Sequence, residues 1–198
     1  MSSATNTSTE IATFAAGCFW GVEHIFLKHF PPKENKGIKT AVGYTGGKET
    51  VTNPGYRDVC SGETDHAEAL RIEFDPTIVS YADLVEFFYR THEPTTVNRQ
   101  GNDRGTRRAI YYLHTWGSSR LMIFPEYRSA IFANTPKQLE TALAVTEEVQ
   151  QKHFTPKGEK IVTQIVEAGP WYDAEDYHQL YLFKNPNGYQ CATHRLHW

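Results

Sequence analysis

Residues 11–32 read IATFAAGCFWGVEHIFLKHFPP, and the change of pattern within this segment indicates how the fold begins. Residues 11–16 form an apolar run of the length typical of a buried strand. Gly17 then lets the chain turn, and from Cys18 onward the apolar residues recur at helical spacing. Two prolines, Pro31 and Pro32, end that pattern. The stretch therefore predicts a strand that leads directly into a helix, with Cys18 at the helix N-terminus.

The rest of the chain continues this alternation of strands and helices. Two predicted helices begin at capping patterns, Ser80 with Asp83 and Thr135 with Gln138. This succession favours an α+β fold with a mixed β-sheet and flanking helices, and its order predicts a ferredoxin-like split plait. The further predicted strands are residues 37–44, 67–74, 127–132 and 161–167, and the further helices are residues 80–92, 135–152 and 174–183.

Composition limits the functional classes. The chain has 198 residues, of which 39% are hydrophobic, and this fits one domain with a substantial core. A net charge of -3 predicts neither a nucleic-acid partner nor an anionic membrane partner. The sequence has no apolar run that could span a bilayer, and residues 1–10 lack the apolar region of a secretory signal. We therefore expect a disordered tail over residues 1–10, one domain over residues 11–198, a monomer, and a cytoplasmic location with the nucleus as an alternative.

Cys18 is the sharpest candidate for chemistry. At a helix N-terminus, backbone N–H groups without helical partners and the helix dipole stabilise an anion, so a thiol there becomes a better nucleophile. Phe19 and Trp20 follow directly and would place an aromatic wall beside the thiol. The alternative is a structural cysteine, because most cysteines are simply buried.

Five other residues each have a chemical and a plain interpretation. Glu68 is a candidate general acid, because apolar neighbours raise the pKa of a carboxyl group, or else a surface glutamate. Tyr56 and Tyr127 could donate phenolic hydrogen bonds or pack at the edge of the core. Asp103 lies in a turn signature, and turn chemistry alone would explain it. Cys191, in a loop-like tail, could form a transient disulfide or be an exposed bystander.

The remaining cysteine and the histidines indicate no further site. Cys60 has no helix start near it, and we interpret it as structural. Two histidine pairs, His24 with His29 and His194 with His197, come without a second cluster at zinc-like spacing. The sequence therefore predicts no metal site.

Several motifs together resemble those of the A-type peptide methionine sulfoxide reductases. The run GCFWG at residues 17–21, followed by Glu23, is similar to the signature of that family. The resemblance covers nearly the whole chain from Ile11 onward, and its specificity comes from many blocks in the same order. The other blocks are GYTGG at 43–47, YRDVCSG at 56–62, HAE at 66–68, QGND at 100–103, YRS at 127–129, YHQ at 177–179 and KNP at 184–186.

The resemblance implies how the substrate would be held. Cys18 would be the nucleophile, and Phe19 with Trp20 would form the pocket for the methyl group of methionine-S-sulfoxide. Asp103 would support the site. The implied substrates are oxidised proteins or peptides and free methionine sulfoxide, and the implied biological role is the repair of oxidised proteins.

The resemblance also implies the redox cycle. Glu68, Tyr56 and Tyr127 would bind the sulfoxide oxygen, with Glu68 as proton donor, and the Cys18 thiol would become a sulfenic acid. Cys191 would resolve that sulfenic acid to a disulfide, which the dithiol of thioredoxin would reduce. No bound cofactor is implied.

Residues 107–126 depart from the family pattern. The family continues from the Gly-Thr pair directly into Gln-Tyr-Arg-Ser, whereas here this segment separates Thr106 from Tyr127 and is unusually apolar for an exposed loop. A retained intron in the gene model would explain it, because joining the first base of one flanking codon to the last two of the other can restore the missing Gln. A tolerated insertion is the alternative, since loop closure grows only slowly in cost with length. If the segment is translated, we expect it to weaken activity.

Other functional classes stay open on the sequence alone. A cysteine hydrolase or acyltransferase would pair Cys18 with a histidine such as His66 and would have no use for Cys191. A non-enzymatic binding module would use the aromatic patch at residues 19–20. An insert-impaired, inactive homologue of the reductases is the third alternative.

Overall fold

In a computed structural model, the structure describes residues 9–31, 37–101, 103–104 and 127–198, with the backbone alone at 103 and 104. The expectation of a retained or looped-out segment at 107–126 lies outside these residues, as does most of the tail expected at 1–10. The strands are β1 (Glu10–Ala16), β2 (Lys39–Thr45), β3 (Ala67–Phe74), β4 (Arg99–Gln100), β5 (Asp103–Arg104), β6 (Ser129–Ala133), β7 (Gln164–Glu167) and β8 (Trp171–Asp173). The helices are α1 (Phe19–His29), α2 (Tyr56–Cys60), α3 (Tyr81–Arg90), α4 (Pro136–Val149) and α5 (Tyr181–Lys184).

Six strands form one mixed sheet in the order β7-β6-β1-β3-β2-β8. All neighbours are antiparallel except β6 and β7, which are parallel. The four central strands, with α1 between β1 and β2 and α3 between β3 and β6, have the βαββαβ order of a split plait. The predicted α+β fold is therefore confirmed.

The core lies between this sheet and the helices. Phe14 of the central strand β1 is fully buried, and its ring packs against two others. The ring centroids lie 5.8 Å apart for Phe26 of α1 and 5.1 Å apart for Phe88 of α3. Burying each such ring stabilises the fold by about 1.5–3 kcal/mol. Both helices thus pack against the same strand, and this fixes where α1 begins relative to the sheet.

Local capping places two of the helices. The Ser80 side chain accepts from the Asp83 N–H, and α3 begins at Tyr81; the Thr135 side chain accepts from the Gln138 N–H, and α4 begins at Pro136. Both starts are as predicted. Residues 150–154 form a π-helical turn after α4, so the α-helix ends three residues before the predicted end at residue 152.

The prediction was wrong at residues 171–183, whereas the strand predicted at 161–167 forms as β7. Residues 174–183 are mostly turns with only a short helix at the end, α5, and the unpredicted strand β8 precedes them. The short helix α2 and the β4–β5 hairpin were also expected to be loop. Within the described ranges, no helix is both long enough and apolar enough to cross a membrane.

Candidate active site

The turn between β1 and α1 presents Cys18 at a helix N-terminus. Gly17 has a φ of +83°, which L side chains rarely adopt, and a Cβ there would lie 2.6 Å from the Gln100 Cγ. Cys18 is therefore the N-cap residue of α1, and it is 8% exposed. The thiol lies where the backbone N–H groups of the first helical turn favour a negative charge.

Glu68 reaches the same helix terminus from the neighbouring sheet. It lies on β3 opposite Tyr44 of β2, is 2% exposed, and its Oε2 accepts from the Phe19 N–H at 3.1 Å. The Glu68 carboxyl and the Cys18 thiol therefore occupy adjacent positions at the start of α1.

Two tyrosines surround this pair. Burial raises the pKa of the Tyr56 phenol, and the nearby Glu68, Cys60 and Cys18 raise it further; a hydrogen bond links Tyr56 to Cys60. Burial likewise raises the pKa of Tyr127, and the next contributions come from Glu68, Cys60, Tyr56 and Cys18. Both phenols therefore stay protonated over the physiological pH range and can donate hydrogen bonds.

The aromatic wall beside Cys18 has a buried part and an accessible part. Phe19 is only 1% exposed, and its ring centroid lies 5.0 Å from that of His178, whereas Trp20 is partly exposed. The Trp20 indole stacks on Tyr181 at 3.8 Å with an interplanar angle of 15°, and its Nε1–H donates to the Nδ1 of His178 at 2.9 Å. Trp20 is thus held in one orientation by groups on both sides.

His178 is the residue at this site that the sequence prediction missed. It was matched only as part of the YHQ motif and was placed on the helix predicted at residues 174–183, of which only the end is helical. It is 1% exposed, and burial lowers its pKa, although Glu175 opposes that shift. The sequence signal that could have identified it is its position among aromatic residues, with Tyr177 before it and Tyr181 after it.

Cys191 is not an exposed bystander. It is 4% exposed, and its Sγ lies 3.7 Å from the Gln100 carbonyl oxygen and 3.0 Å from the Thr193 Oγ1. Since the Gln100 side chain packs against Gly17, this one residue contacts both the segment before Cys18 and the tail that carries Cys191.

The tail around Cys191 is docked at two further points. The His194 Nε2 lies 2.8 Å from the Ala16 carbonyl oxygen, and the His194 ring fills the space that a side chain at Gly21 would need. Farther on, Arg90 donates from Nε and Nη2 to the Trp198 backbone oxygen at 3.0 and 2.7 Å. The tail is thus loop-like, as predicted, but is held against the start of α1 and the end of α3.

Asp103 and His66 are the two remaining residues that the sequence analysis named as candidates. Asp103 lies on β5 opposite Gln100, and its side chain is outside the described part of the structure. His66, the suggested partner of a hydrolase, packs its ring against Gly47 and Tyr172, whereas Glu68 is the group that reaches the start of α1. Among the residues that the structure describes, no group of three or more His, Cys, Asp or Glu side chains could hold a metal ion.

Comparisons with known proteins agree with this geometry. The family model described as peptide methionine sulfoxide reductase matches residues 10–120 and 123–197. A probable peptide methionine sulfoxide reductase of Schizosaccharomyces pombe is 50% identical over 189 residues, which covers 96% of this chain and 97% of that protein. The crystal structure of reduced Mxr1 from Saccharomyces cerevisiae matches with a TM-score of 0.78 and 38% identity, covering 96% of this chain and 93% of Mxr1. Mxr1 in complex with Trx2 matches with a TM-score of 0.55 and 26% identity, covering 99% of this chain and 97% of that one.

Proposed function

Because the chain belongs to the peptide methionine sulfoxide reductase family and is an oxidoreductase of that family, we propose that Cys18 is the nucleophile that removes the oxygen of methionine-S-sulfoxide. The observation that carries this proposal is the 3.1 Å hydrogen bond from the Phe19 N–H to the Glu68 Oε2. It places a buried carboxyl group at the same helix terminus as the thiol. A nucleophile and an acid are then available to the two atoms of one S–O bond.

The first half of the cycle transfers one oxygen atom. The Cys18 thiolate attacks the sulfoxide sulfur and forms an S–S bond, Glu68 gives its proton to the sulfoxide oxygen, and the S–O bond of the substrate breaks to release hydroxide. Hydroxide then attacks the Cys18 sulfur and the S–S bond breaks, so methionine leaves, reduced by two electrons, and Cys18 becomes a sulfenic acid, oxidised by two electrons. Tyr56 and Tyr127, whose burial keeps them protonated, donate hydrogen bonds to the oxygen as its negative charge grows.

The methyl group of the substrate would lie against Trp20. The indole presents an apolar face whose orientation is fixed by the Tyr181 stack and by the hydrogen bond to His178. Phe19 is a buried ring whose centroid lies 5.0 Å from that of His178. A pocket with a fixed apolar side and a fixed hydrogen-bonding side is chiral, so it can distinguish the two epimers of the sulfoxide, and the resemblance implies that it takes the S epimer. Asp103 keeps the supporting role that the resemblance implies.

The second half of the cycle restores the thiol. The Cys191 thiol attacks the sulfenic sulfur of Cys18, an S–S bond forms, and water leaves. The packing of Gln100 against both Gly17 and Cys191 supports this pairing. The dithiol of thioredoxin then reduces the disulfide, as the complex of Mxr1 with Trx2 suggests. All the proposed groups come from one chain, so we expect the enzyme to act as a monomer on free and protein-bound methionine sulfoxide.

Counting methionine produced per enzyme tests this proposal. Wild type with thioredoxin, its reductase and NADPH should turn over a methionine-S-sulfoxide peptide many times and leave the R epimer unchanged. Cys18→Ser should make no methionine. Cys191→Ser should make one equivalent and then stop, because the sulfenic acid forms but is not resolved. Cys60→Ser is the matched control and should keep turning over.

Two results would contradict the proposal. Methionine formation by Cys18→Ser would show that another group reduces the sulfoxide. Sustained thioredoxin-driven turnover by Cys191→Ser at the wild-type rate would leave Cys18 as the nucleophile but remove Cys191 as its resolving partner.

A further inference from the structure

The segment at residues 174–180 is a loop that the rest of the fold holds rigidly. The Gln179 side chain accepts from the Val42 N–H at 2.9 Å and donates to the Val42 carbonyl oxygen at 2.9 Å. Leu180 has a φ of +55°, and its N–H donates at 2.7 Å to the buried carboxyl of Glu23 on α1. Because these bonds fix the loop to both β2 and α1, side chains on the loop are precise supports for the site.

Glu175 on this loop holds the start of α2. Its Oε1 accepts from the Tyr56 N–H at 2.9 Å, and its Oε2 accepts from the Tyr44 hydroxyl at 2.8 Å. The N-cap position of α2 is Gly55, which has no side chain that could accept from the first turn. Glu175 therefore takes the part of a helix cap from 119 residues away in the chain. Burial alone would raise the pKa of Glu175, but the hydrogen bonds from Tyr56 and Tyr44 lower it and keep the carboxylate charged.

The same carboxylate approaches the opposite side of the site. Its Oε2 lies 3.8 Å from the Nε2 of His178. The His178 Nδ1 accepts from the Trp20 indole, so the neutral ring carries its proton on Nε2, and the 3.8 Å from this nitrogen to the Glu175 Oε2 is longer than a hydrogen bond. One carboxylate thus contacts the backbone of an oxygen-side tyrosine and the histidine that orients the methyl-side tryptophan.

We infer that Glu175 is a positioning residue for sulfoxide reduction, which fixes the Tyr56 phenol relative to Cys18. The inference rests on the proposed function, because Tyr56 must first donate to the sulfoxide oxygen. A misplacement of about 1 Å in a catalytic group can cost about a hundredfold in rate. Since Tyr56 acts most strongly on the charge that develops in the transition state, the loss should fall on the rate of the chemical step and leave KM nearly unchanged.

A double-mutant cycle on single-turnover methionine formation tests this inference. Glu175→Ala should slow the reaction by about 10- to 100-fold. In a Tyr56→Phe background the same change should cost less than about threefold, because the group that Glu175 positions is already gone. Glu175→Gln should recover most of the rate, since its amide oxygen can still accept from the Tyr56 N–H. Asp176→Ala is the matched control, an exposed acidic neighbour in the same loop, and should match wild type.

Each other outcome overturns the inference. A wild-type rate in Glu175→Ala removes the role, and additive losses in the two backgrounds show that Glu175 does not act through Tyr56. Should Glu175→Ala fail to fold, Glu175→Asp, which keeps the charge but is one methylene shorter, enters the same cycle with the same expectation. A wild-type enzyme that makes no methionine would remove the proposed function together with this inference, whereas an active wild type with an unaffected Glu175→Ala removes the inference alone.

Discussion

An alanine at Gly17 perturbs the turn that places Cys18. The φ of +83° would cost an L-residue about 1–2 kcal/mol. The new Cβ would also lie 2.6 Å from the Cγ and 2.8 Å from the Cβ of Gln100. Gln100 is fully buried. Its Oε1 accepts from the Glu93 N–H at 2.9 Å and its Nε2 donates to the Glu93 carbonyl oxygen at 2.7 Å, so the side chain cannot move aside. Overpacking of this kind costs about 1–3 kcal/mol, and Gly17→Ala should therefore lose about 2–5 kcal/mol of unfolding free energy.

Three other glycines separate the two contributions. Gly158 has a φ of +71° and no described atom within 4 Å of its Cβ position, so Gly158→Ala carries the backbone strain alone. Gly21 has ordinary backbone angles, but its Cβ would collide with the His194 ring, so Gly21→Ala carries the steric cost alone, offset by about 1 kcal/mol of helix propensity. Gly169 has neither feature, and Gly169→Ala should stay within about 0.5 kcal/mol of wild type.

Urea unfolding of the four variants, followed by tryptophan fluorescence and circular dichroism, measures these differences. We expect Gly17→Ala to be the least stable and Gly158→Ala to lie between it and Gly169→Ala. If Gly17→Ala and Gly158→Ala are equally stable, the contact with Gln100 imposes no cost. If Gly17→Ala matches wild type, the reasoning on both backbone and packing is refuted.

Three more predictions concern the acid, a buried histidine and the tail. Glu68→Gln should slow single-turnover reduction by about 10²–10⁴-fold, because an amide has no acidic proton to give to the departing oxygen. Quenched-flow detection of methionine measures this rate. Burial lowers the pKa of His92 to about 3. As pH falls below about 6.5, His92 becomes protonated in the unfolded chain but stays neutral in the folded chain. The free energy of unfolding should therefore drop by about 2 kcal/mol between pH 7 and pH 5, and it should drop less in His92→Gln. Arg90→Ala removes both hydrogen bonds to the Trp198 backbone oxygen, so alkylation of Cys191 by iodoacetamide, followed by mass spectrometry, should become several-fold faster.

Matched controls sharpen these three experiments. Glu73→Gln changes a glutamate on the same strand as Glu68 and should leave the rate of reduction unchanged. A Glu68→Gln rate within threefold of wild type would exclude Glu68 as the acid. His197 is exposed, so His197→Gln should keep the wild-type loss of stability at low pH; the same slope in His92→Gln would refute the assignment to His92. Unchanged alkylation of Cys191 in Arg90→Ala would show that Arg90 does not hold the tail.

The strands and helices that could be predicted are those whose signals are local. An apolar run followed by Gly17 and a helical repeat predicts β1 and α1, and β3 has the predicted bounds of 67–74. The caps at Ser80 and Thr135 lie next to the helices that they begin. In each case the residues that hydrogen-bond to the free backbone groups are close in sequence, so pattern and propensity agree with the final structure.

The rest could not be predicted because its hydrogen-bond partners are far away in the chain. Helical spacing over residues 174–183 suggested a helix, but Gln179 bonds to Val42 and Leu180 bonds to Glu23, which replaces helical bonds with contacts across about 137 and 157 residues. The helix at Tyr56 is capped by Glu175, so no local cap announced it. At the site, the position of Cys18 followed from the sequence, whereas the support of Trp20 by His178 depends on the same distant loop.

The docked tail also bears on how far Cys18 is exposed to over-oxidation while it is a sulfenic acid. A sulfenic acid that lingers in the presence of peroxide is oxidised further to a sulfinic acid, and most thiol enzymes cannot reverse that step. A tail held at Ala16, Gln100 and Arg90 keeps Cys191 beside Gln100, the residue that packs against the Gly17 turn before Cys18. If Cys191 is the resolving thiol, we expect this docking to raise its effective concentration at Cys18, to shorten the lifetime of the sulfenic acid and so to protect the enzyme from irreversible oxidation.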